Sequence, residues 1–410
     1  MFDPHVVRPF FPALQHHFNG RLPILFDGPG GTQVPSMVID AMAQYLTTSN
    51  SNLGKTPFPT MLATHEVVRN ARAAAAAFVN APSADEIVFG PNMSTITAHL
   101  SRSIAREWKE GDDIIVTALD HSANISYWRM AAADRGVKCH IVPLRADDCT
   151  LDYAAFEKLI SPKTKLVAFG LASNVCGSRS DPARMIRAAK AVGAMTYVDA
   201  VHYAPHHLPD VQALECDFLA CSPYKFFGPH LGFVYGQRKH LERLLPYKVE
   251  PALDVIPDRW ETGTKSFEAL AGLVAAIEYI ASIGGSNGSL RARLQESYKR
   301  VEQYEQGWSS AFLQKIKGLN SVRVHGITDH ARVNDRTSTF ALTFNHHQPQ
   351  EVSDFLASKN ICAPSGTFYG VGVTDTLGLT DKGGVLRVGC VHYNTHQEMD
   401  ALFEALSELR

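Results

Sequence analysis

Between residues 86 and 236, short runs rich in β-branched and aromatic residues alternate with stretches whose apolar positions recur every three or four residues. The runs are EIVFG (86–90), DIIVTAL (113–119), KCHIVPL (138–144), KLVAFG (165–170), MTYVDA (195–200), DFLACS (217–222) and GFVYG (232–236). Helical periodicity marks the segments between them, most clearly at 94–108 and 182–193. Strands that alternate with helices require crossover connections. The pattern therefore restricts this part of the chain to an α/β fold, a mainly parallel seven-stranded sheet with helices on both faces. GFVYG follows DFLACS too closely for a helical crossover, which predicts one antiparallel member.

After residue 285 the pattern changes. A long helix over 289–316 leads into SVRVHG, TSTFALTF and GVLRVG, with helices expected at 351–359 and 395–408. This reads as a smaller α+β unit. The expected division is a large domain over 20–285 and a small C-terminal domain over 286–410, against which residues 1–19 pack. A chain of 410 residues is long enough for both. The alanine-rich run 72–78 reads as helix.

Charge and composition exclude several roles. With 39 basic and 41 acidic residues, a net charge of −2 and no basic stripe, nothing recruits nucleic acid or a membrane surface. The N-terminal stretch is interrupted by Asp3, His5 and Arg8 and lacks a signal-peptide core. The apolar stretch 271–285 carries Glu278 and is too short to span a bilayer. Seven cysteines form an odd set without a C-x-x-C pair, which fits reduced thiols and a cytoplasmic location.

In open α/β sheets ligands sit beyond the carboxyl ends of the strands. Asp199 ends MTYVDA, Asn174 follows KLVAFGLAS, His121 follows DIIVTALD, and Ser222, Tyr224 and Lys225 follow DFLAC. Each has an ordinary reading alone: a strand-end Asp is usually a turn or cap, and a Lys is usually a solvated charge. Together they supply what pyridoxal 5′-phosphate (PLP) requires: an amine for its aldehyde, a carboxylate for its pyridine nitrogen, and a flat side chain for its ring. GPNMSTIT (90–97) leaves a strand and opens a helix with Ser94 and Thr95, where backbone N–H groups, with Met93 beside them, and a hydroxyl would hold a phosphate; read alone, Ser94 or Thr95 is an ordinary N-cap. Ser222 and Tyr224 would complete that cup. FDGPGGTQVP (26–35) lacks the spacing of a dinucleotide loop. HYAPHH (202–207) follows a strand with no carboxylate beside it in the sequence, so no metal is expected. FNHHQPQ (344–350) reads as a solvated loop.

Six segments, in order, resemble the class V aminotransferase family of fold-type I PLP-dependent enzymes, and within it the cysteine desulfurase-like group. The resemblance covers roughly residues 22–405. LDHSANISYW is similar to the family's E-H-x-A-N segment, which implies that His121 stacks on the PLP ring. SNVCGS resembles S-N-x-x-G and implies Asn174 near the phenolic oxygen. VDAVH resembles V-D-x-x-Q, assigning Asp199 to the pyridine nitrogen and placing His202 where the family has Gln. SPYKFFGP resembles S-x-H-K-x-x-G-P, which makes Lys225 the Schiff-base lysine and puts Tyr224 where His is usual. RWETGT resembles R-x-E-x-G-T, whose Thr264 would reach the phosphate of a neighbouring subunit. LRVGCVHYNT resembles the late segment whose arginine, here Arg387, grips the substrate carboxylate in a bidentate fork. The resemblance also puts Gly30 and Gly31 in a loop over the substrate, and Asn52 and Lys55 in a loop that reaches a neighbouring active site. It thus implies a homodimer with shared active sites.

One departure bears on the reaction. Desulfurases carry a loop cysteine that takes the substrate's sulfur, and the corresponding stretch here, 363–379, contains none. Tyr369 falls near the thiol's position, and Pro364 replaces an arginine. Cys362 is expected to be a core thiol, and packing is expected to explain Cys176 and Cys221. The expected function is PLP-dependent C–S lyase or desulfurase-type chemistry on cysteine or a related sulfur amino acid, through a Lys225 aldimine and a quinonoid. Transamination and epimerisation begin with the same step and stay open, as does a catalytically inactive PLP-binding regulator. Retention of Lys225, Asp199 and Arg387 speaks against the regulator. Phe368, Tyr369 and the GPGGT loop are expected to set side-chain selectivity.

Overall fold

A computed structural model describes residues 2–409. Its main sheet has seven strands, in the order Ile87–Gly90, Gly232–Gly236, Phe218–Cys221, Met195–Asp199, Thr164–Gly170, Asp113–Thr117 and Lys138–Val142. Gly232–Gly236 runs antiparallel to both neighbours and the other pairings are parallel. All seven expected runs form strands, and the single antiparallel member is the expected one. The central strands are buried along their length because both faces are covered, which is why they read as continuous apolar runs. On one face, helices Met93–Ala105 and Ser126–Asp134 bury Leu100, Ile104 and Trp128 against Val116 and Tyr197. On the other, Pro59–Val79 and Phe267–Ile283 pack Phe78, Leu270 and Ile277 into a larger core that includes Ile115 and Val167. Each such side chain contributes roughly 1.5–3 kcal/mol relative to exposure.

Helix Leu290–Ile316 leads into a second sheet of four antiparallel strands, ordered Ser365–Gly366, Val385–Gly389, Thr339–Phe344 and Val322–His325. Helices Pro349–Ser358 and His396–Ser407 flank it. Its core centres on Phe312 stacked on Phe340, with ring centroids 4.0 Å apart, beside Trp308. The N-terminal residues touch more than this unit. Arg8 pairs with Glu398 at 2.8 Å, but Phe11 also packs on Phe227 and Tyr279.

One pairing was not visible in the sequence. Ile24–Leu25 lies parallel to Ile361–Cys362, and Gly389 N–H donates to the Phe26 carbonyl at 2.7 Å. Two residues alternate in a strand, so Ile361 points inward and Cys362 outward. Cys362 is exposed, which corrects its expected place in the core. Cys176 and Cys221 are fully buried. Among the described residues no helix is long and apolar enough to cross a membrane.

Candidate active site

The carboxyl ends of the parallel strands open onto a cavity of about 570 Å³, counting the solvent at its mouth. Met93 and Ser94 line it from a helix start, His121 and Asn174 from loops after two strands, and Asp199 and His202 from the end of a third. Ser222, Tyr224 and Lys225 close it from the turn after Phe218–Cys221. The Met93 helix is capped by Asn92, whose side chain accepts from Thr95 N–H at 2.8 Å. Asn92, and not Ser94 or Thr95, is therefore the cap, and Ser94 lines the cavity.

Asp199 is buried, and Val201 N–H donates to one carboxylate oxygen at 2.8 Å. Burial pushes its pKa up to about 6, against the lowering effect of that hydrogen bond and of Lys225. Lys225 ends the turn Pro223–Lys225. Its ammonium donates to the carbonyls of Pro29 and, at 2.9 Å, Gly30. Burial, and then the Arg387 cation, bring its pKa down to about 7, so the amine is available as a nucleophile near neutrality.

His121 caps the turn Ser122–Asn124, its Nδ1 accepting from Ala123 N–H at 3.1 Å. That contact orients the ring. Burial, with Lys225 and Arg387 nearby, lowers its pKa to about 4 and keeps the imidazole neutral. His202 is buried with Nε2 at 3.2 Å from Thr337 Oγ1 and 3.1 Å from Thr339 Oγ1. Nδ1 on the other side of the ring has no partner among the described residues, and which ring nitrogen carries the proton follows from which way those hydroxyls point. Burial holds its pKa well below the usual histidine range. Tyr224 stacks on His230 with ring centroids 5.0 Å apart. Asn174 donates from Nδ2 to the Phe368 carbonyl at 2.9 Å, while its buried Oδ1 has no partner among the described residues.

Arg387 does not line the cavity but bonds to Asn174, which does, and it is almost wholly buried. It donates from Nη1 to the Asn174 carbonyl at 3.0 Å and from Nη2 to Asp27 at 2.7 Å, and its guanidinium lies 3.8 Å from the centre of the Phe368 ring. Phe368 and Tyr369 both take left-handed backbone, at φ 53° and 56°. Ser122 holds the Tyr369 carbonyl with its N–H at 2.7 Å and its hydroxyl at 2.8 Å. Gly370 packs on Val175 and Gly372 on the backbone of Ala118. The segment is docked along its length, while the Tyr369 side chain is 70% exposed.

The structure does not bring every expected residue to this cavity. Asn52 and Thr264 line a separate surface hollow with Tyr247 and Lys248, and Gly30 and Arg387 are not in the cavity lining but contact Lys225 and Asn174, which are. Sequence reasoning also missed three things. Asp120, at the Glu position of the E-H-x-A-N segment, lines the cavity. Burial lifts its pKa to about 8, opposed by hydrogen bonds from Thr117 and from Asn124 at 2.8 Å. Asp27 was seen only as part of a glycine-rich loop. Carboxylates do reach the HYAPHH histidines, from a distant helix: His206 meets Glu305 at 2.6 Å and His207 meets Glu302 at 3.0 Å.

The residues present fit PLP. Two buried polar atoms without partners, on His202 and Asn174, belong to cavity-lining side chains. Beside them stand an amine of lowered pKa, a strand-end carboxylate, a flat neutral imidazole and a helix start.

The chain is 29% identical over its whole length to a cysteine desulfurase of Synechococcus elongatus, of which it spans 64%, and 28% identical to one of Escherichia coli, of which it spans 98%. Among solved structures, a cysteine desulfurase of Thermococcus onnurineus superposes on the entire chain and 98% of its own, with a TM-score of 0.87 and 24% identity. An Escherichia coli cysteine desulfurase in its S-sulfonic acid form superposes equally fully, with a TM-score of 0.85 and 26% identity. The family profile for aminotransferase class V matches residues 24–402. This chain belongs to the class-V aminotransferase family of PLP-dependent enzymes, on the fold-type I scaffold.

Proposed function

We propose that the protein is a desulfurase-type enzyme that breaks the C–S bond of cysteine or a related sulfur amino acid. The observation that carries this reading is the convergence of Lys225, Asp199 and His121 on one cavity, with Arg387 bonded to the cavity-lining Asn174, in a chain similar from end to end to desulfurases. PLP supplies an electron sink for the pair left on the substrate's α-carbon. Lys225 is the amine that would hold the cofactor as a Schiff base and later carry the α-proton. Asp199 would keep the pyridine nitrogen protonated, His121 would stack on the ring, Asn174 would stand near the phenolic oxygen, and His202 would offer its unpartnered Nδ1 to the cofactor. Met93 and Ser94 at the helix start, with Ser222 and Tyr224, would take the phosphate. Arg387 would fix the substrate carboxylate, with Gly30 and Asn174 beside it.

The docked, cysteine-free segment 363–379 favours release of the sulfur without a protein-bound persulfide. Cys362 is exposed, but partial burial of its thiol raises its pKa and disfavours the thiolate. The sulfur then passes to a soluble thiol, leaving alanine, or departs as sulfide with pyruvate and ammonium.

We further read residues 20–285 as a PLP-binding domain, with 286–410 and 1–19 as a smaller one, in a cytoplasmic homodimer with shared active sites. Exposed Leu245, Tyr247, Val249, Leu253 and Val255 adjoin the hollow that holds Asn52 and Thr264, which suits those two residues to a second copy's cavity. A monomer by light scattering with full activity would remove the shared site.

The test is anaerobic incubation of the PLP-loaded enzyme with L-cysteine and a soluble thiol, followed by assay of sulfide, alanine and pyruvate. Sulfide should form with wild type and be lost with Lys225→Ala. Amino transfer to a keto acid or racemisation without sulfide would replace this reading. Unchanged partner binding by an inert wild type would instead indicate a regulator.

A further inference from the structure

The clamp residue Arg387 already holds a carboxylate, and the carboxylate belongs to this chain. Asp27 Oδ1 accepts from Arg387 Nη2 at 2.7 Å, while Nε of the same fork is buried without a partner among the described residues. Half of the bidentate edge is thus occupied and half is empty. Arg387 is fixed from two other directions, by the Asn174 carbonyl at 3.0 Å and by the Phe368 ring at 3.8 Å, and its side chain is 4% exposed. Asp27 is 36% exposed at the side chain. Its backbone is held, since its carbonyl accepts from Gly30 N–H at 2.9 Å and Gly31 N–H at 3.1 Å. The side chain of Asp27 is therefore the part of this pair able to move.

We propose that Asp27 is a resident competitor for the carboxylate clamp. It occupies Arg387 at rest, neutralises a guanidinium that would otherwise be buried and unpaired, and swings out when a substrate carboxylate takes Nε and Nη2 together. A ligand's apparent affinity is then reduced by the fraction of molecules in which Asp27 is seated. Asp27 is a positioning and specificity residue: it selects for ligands that can offer both oxygens to the fork, because a single hydrogen bond does not outcompete it. This inference rests on Arg387 being the carboxylate clamp proposed above.

The experiment titrates PLP-loaded protein with 3-mercaptopropionate, which carries the carboxylate but no amine, and follows the absorbance of the bound cofactor. Cysteamine, with the amine but no carboxylate, is titrated in parallel. Asp27→Asn should bind 3-mercaptopropionate about three- to fivefold more tightly than wild type, the range expected when a partly exposed ion pair is removed. Asp27→Ser should act in the same direction, and cysteamine should move less than twofold with either variant. Unchanged or weaker 3-mercaptopropionate binding in both variants overturns the proposal, as does an equal shift for cysteamine. Arg387→Ala separates the two readings. If it leaves 3-mercaptopropionate binding intact, the clamp itself is misassigned. If it abolishes binding and the Asp27 variants fail to tighten it, only the competitor is refuted.

Discussion

In the cofactor-free chain the lysine at the centre of the site should be a liability to the fold, and replacing it should stabilise the protein. Lys225 has its ordinary pKa of 10.5 when unfolded and about 7 when folded. A lowered lysine pKa means that the unfolded chain binds more protons between those values, so stability rises with pH from about 7 upward. Below pH 7 both states carry the charge and the whole penalty of burying the ammonium is present. At about 1.4 kcal/mol per pH unit the shift corresponds to at most about 5 kcal/mol. The amine retains some access to water, so about 2–3 kcal/mol is the working figure. Lys225→Met keeps the aliphatic stem and removes the charge. An unfolding entropy of about 2.1 cal/mol/K per residue, over 410 residues, converts the gain to about 2–4 °C at pH 6. The assay is calorimetry of cofactor-stripped wild type and variant at pH 6 and pH 9. Effects of pH common to both cancel in the difference. The variant should melt higher at pH 6, and its advantage should shrink by about half at pH 9. A variant no more stable than wild type at pH 6, or an advantage that grows with pH, would refute the argument that burial depresses this amine.

The position occupied by His202 is filled by Gln in the family pattern, and both side chains can donate one hydrogen bond toward the cavity while bonding Thr337 or Thr339 behind it. His202→Gln should retain PLP affinity within a few-fold by spectroscopic titration, whereas His202→Ala should lose about tenfold, the effect of deleting one buried donor. Gly372→Ala places a methyl against the backbone of Ala118, its Cα only 2.8 Å away. It should destabilise by about 1–3 kcal/mol in urea unfolding and increase proteolytic nicking in 363–379. An unchanged midpoint and digestion pattern would mean that the segment is not docked as described.

The larger sheet could be read from the sequence because parallel strands covered on both faces must be apolar along their length, as Ile114–Val116 and Val167–Phe169 are. The antiparallel Gly232–Gly236 was legible from connection length alone. Ile24–Leu25 was not, since two residues carry no periodicity and their partners lie at the far end of the chain. That omission propagated: Cys362 looked like a core thiol because the strand that fixes its facing was invisible. In the site, chemistry-bearing residues at strand ends stood out against apolar runs, which is how Asp199 and Lys225 drew notice. Asp120 did not, because an acidic residue before a loop histidine is indistinguishable from a turn until burial lifts its pKa. Asp27 escaped for a related reason. A glycine-rich loop advertises its backbone, and the meaning of its one carboxylate depends on an arginine 360 residues away.

The pairing of Ile24–Leu25 with Ile361–Cys362, and of Phe26 with Gly389, sets a schedule for synthesis. The segment that carries Gly30 and Asp27 leaves the ribosome more than three hundred residues before the residues that lock it. At roughly 5–20 residues per second the interval is on the order of 20–60 s. During that time the sheet strands and Lys225 have emerged and can condense, but the wall formed by residues 27–31 has nothing to close against. A nascent chain should therefore acquire a cofactor-sized cleft well before it acquires a finished substrate site. Truncation before Ile361 should leave a chain that folds around its sheet and cannot shut its own door.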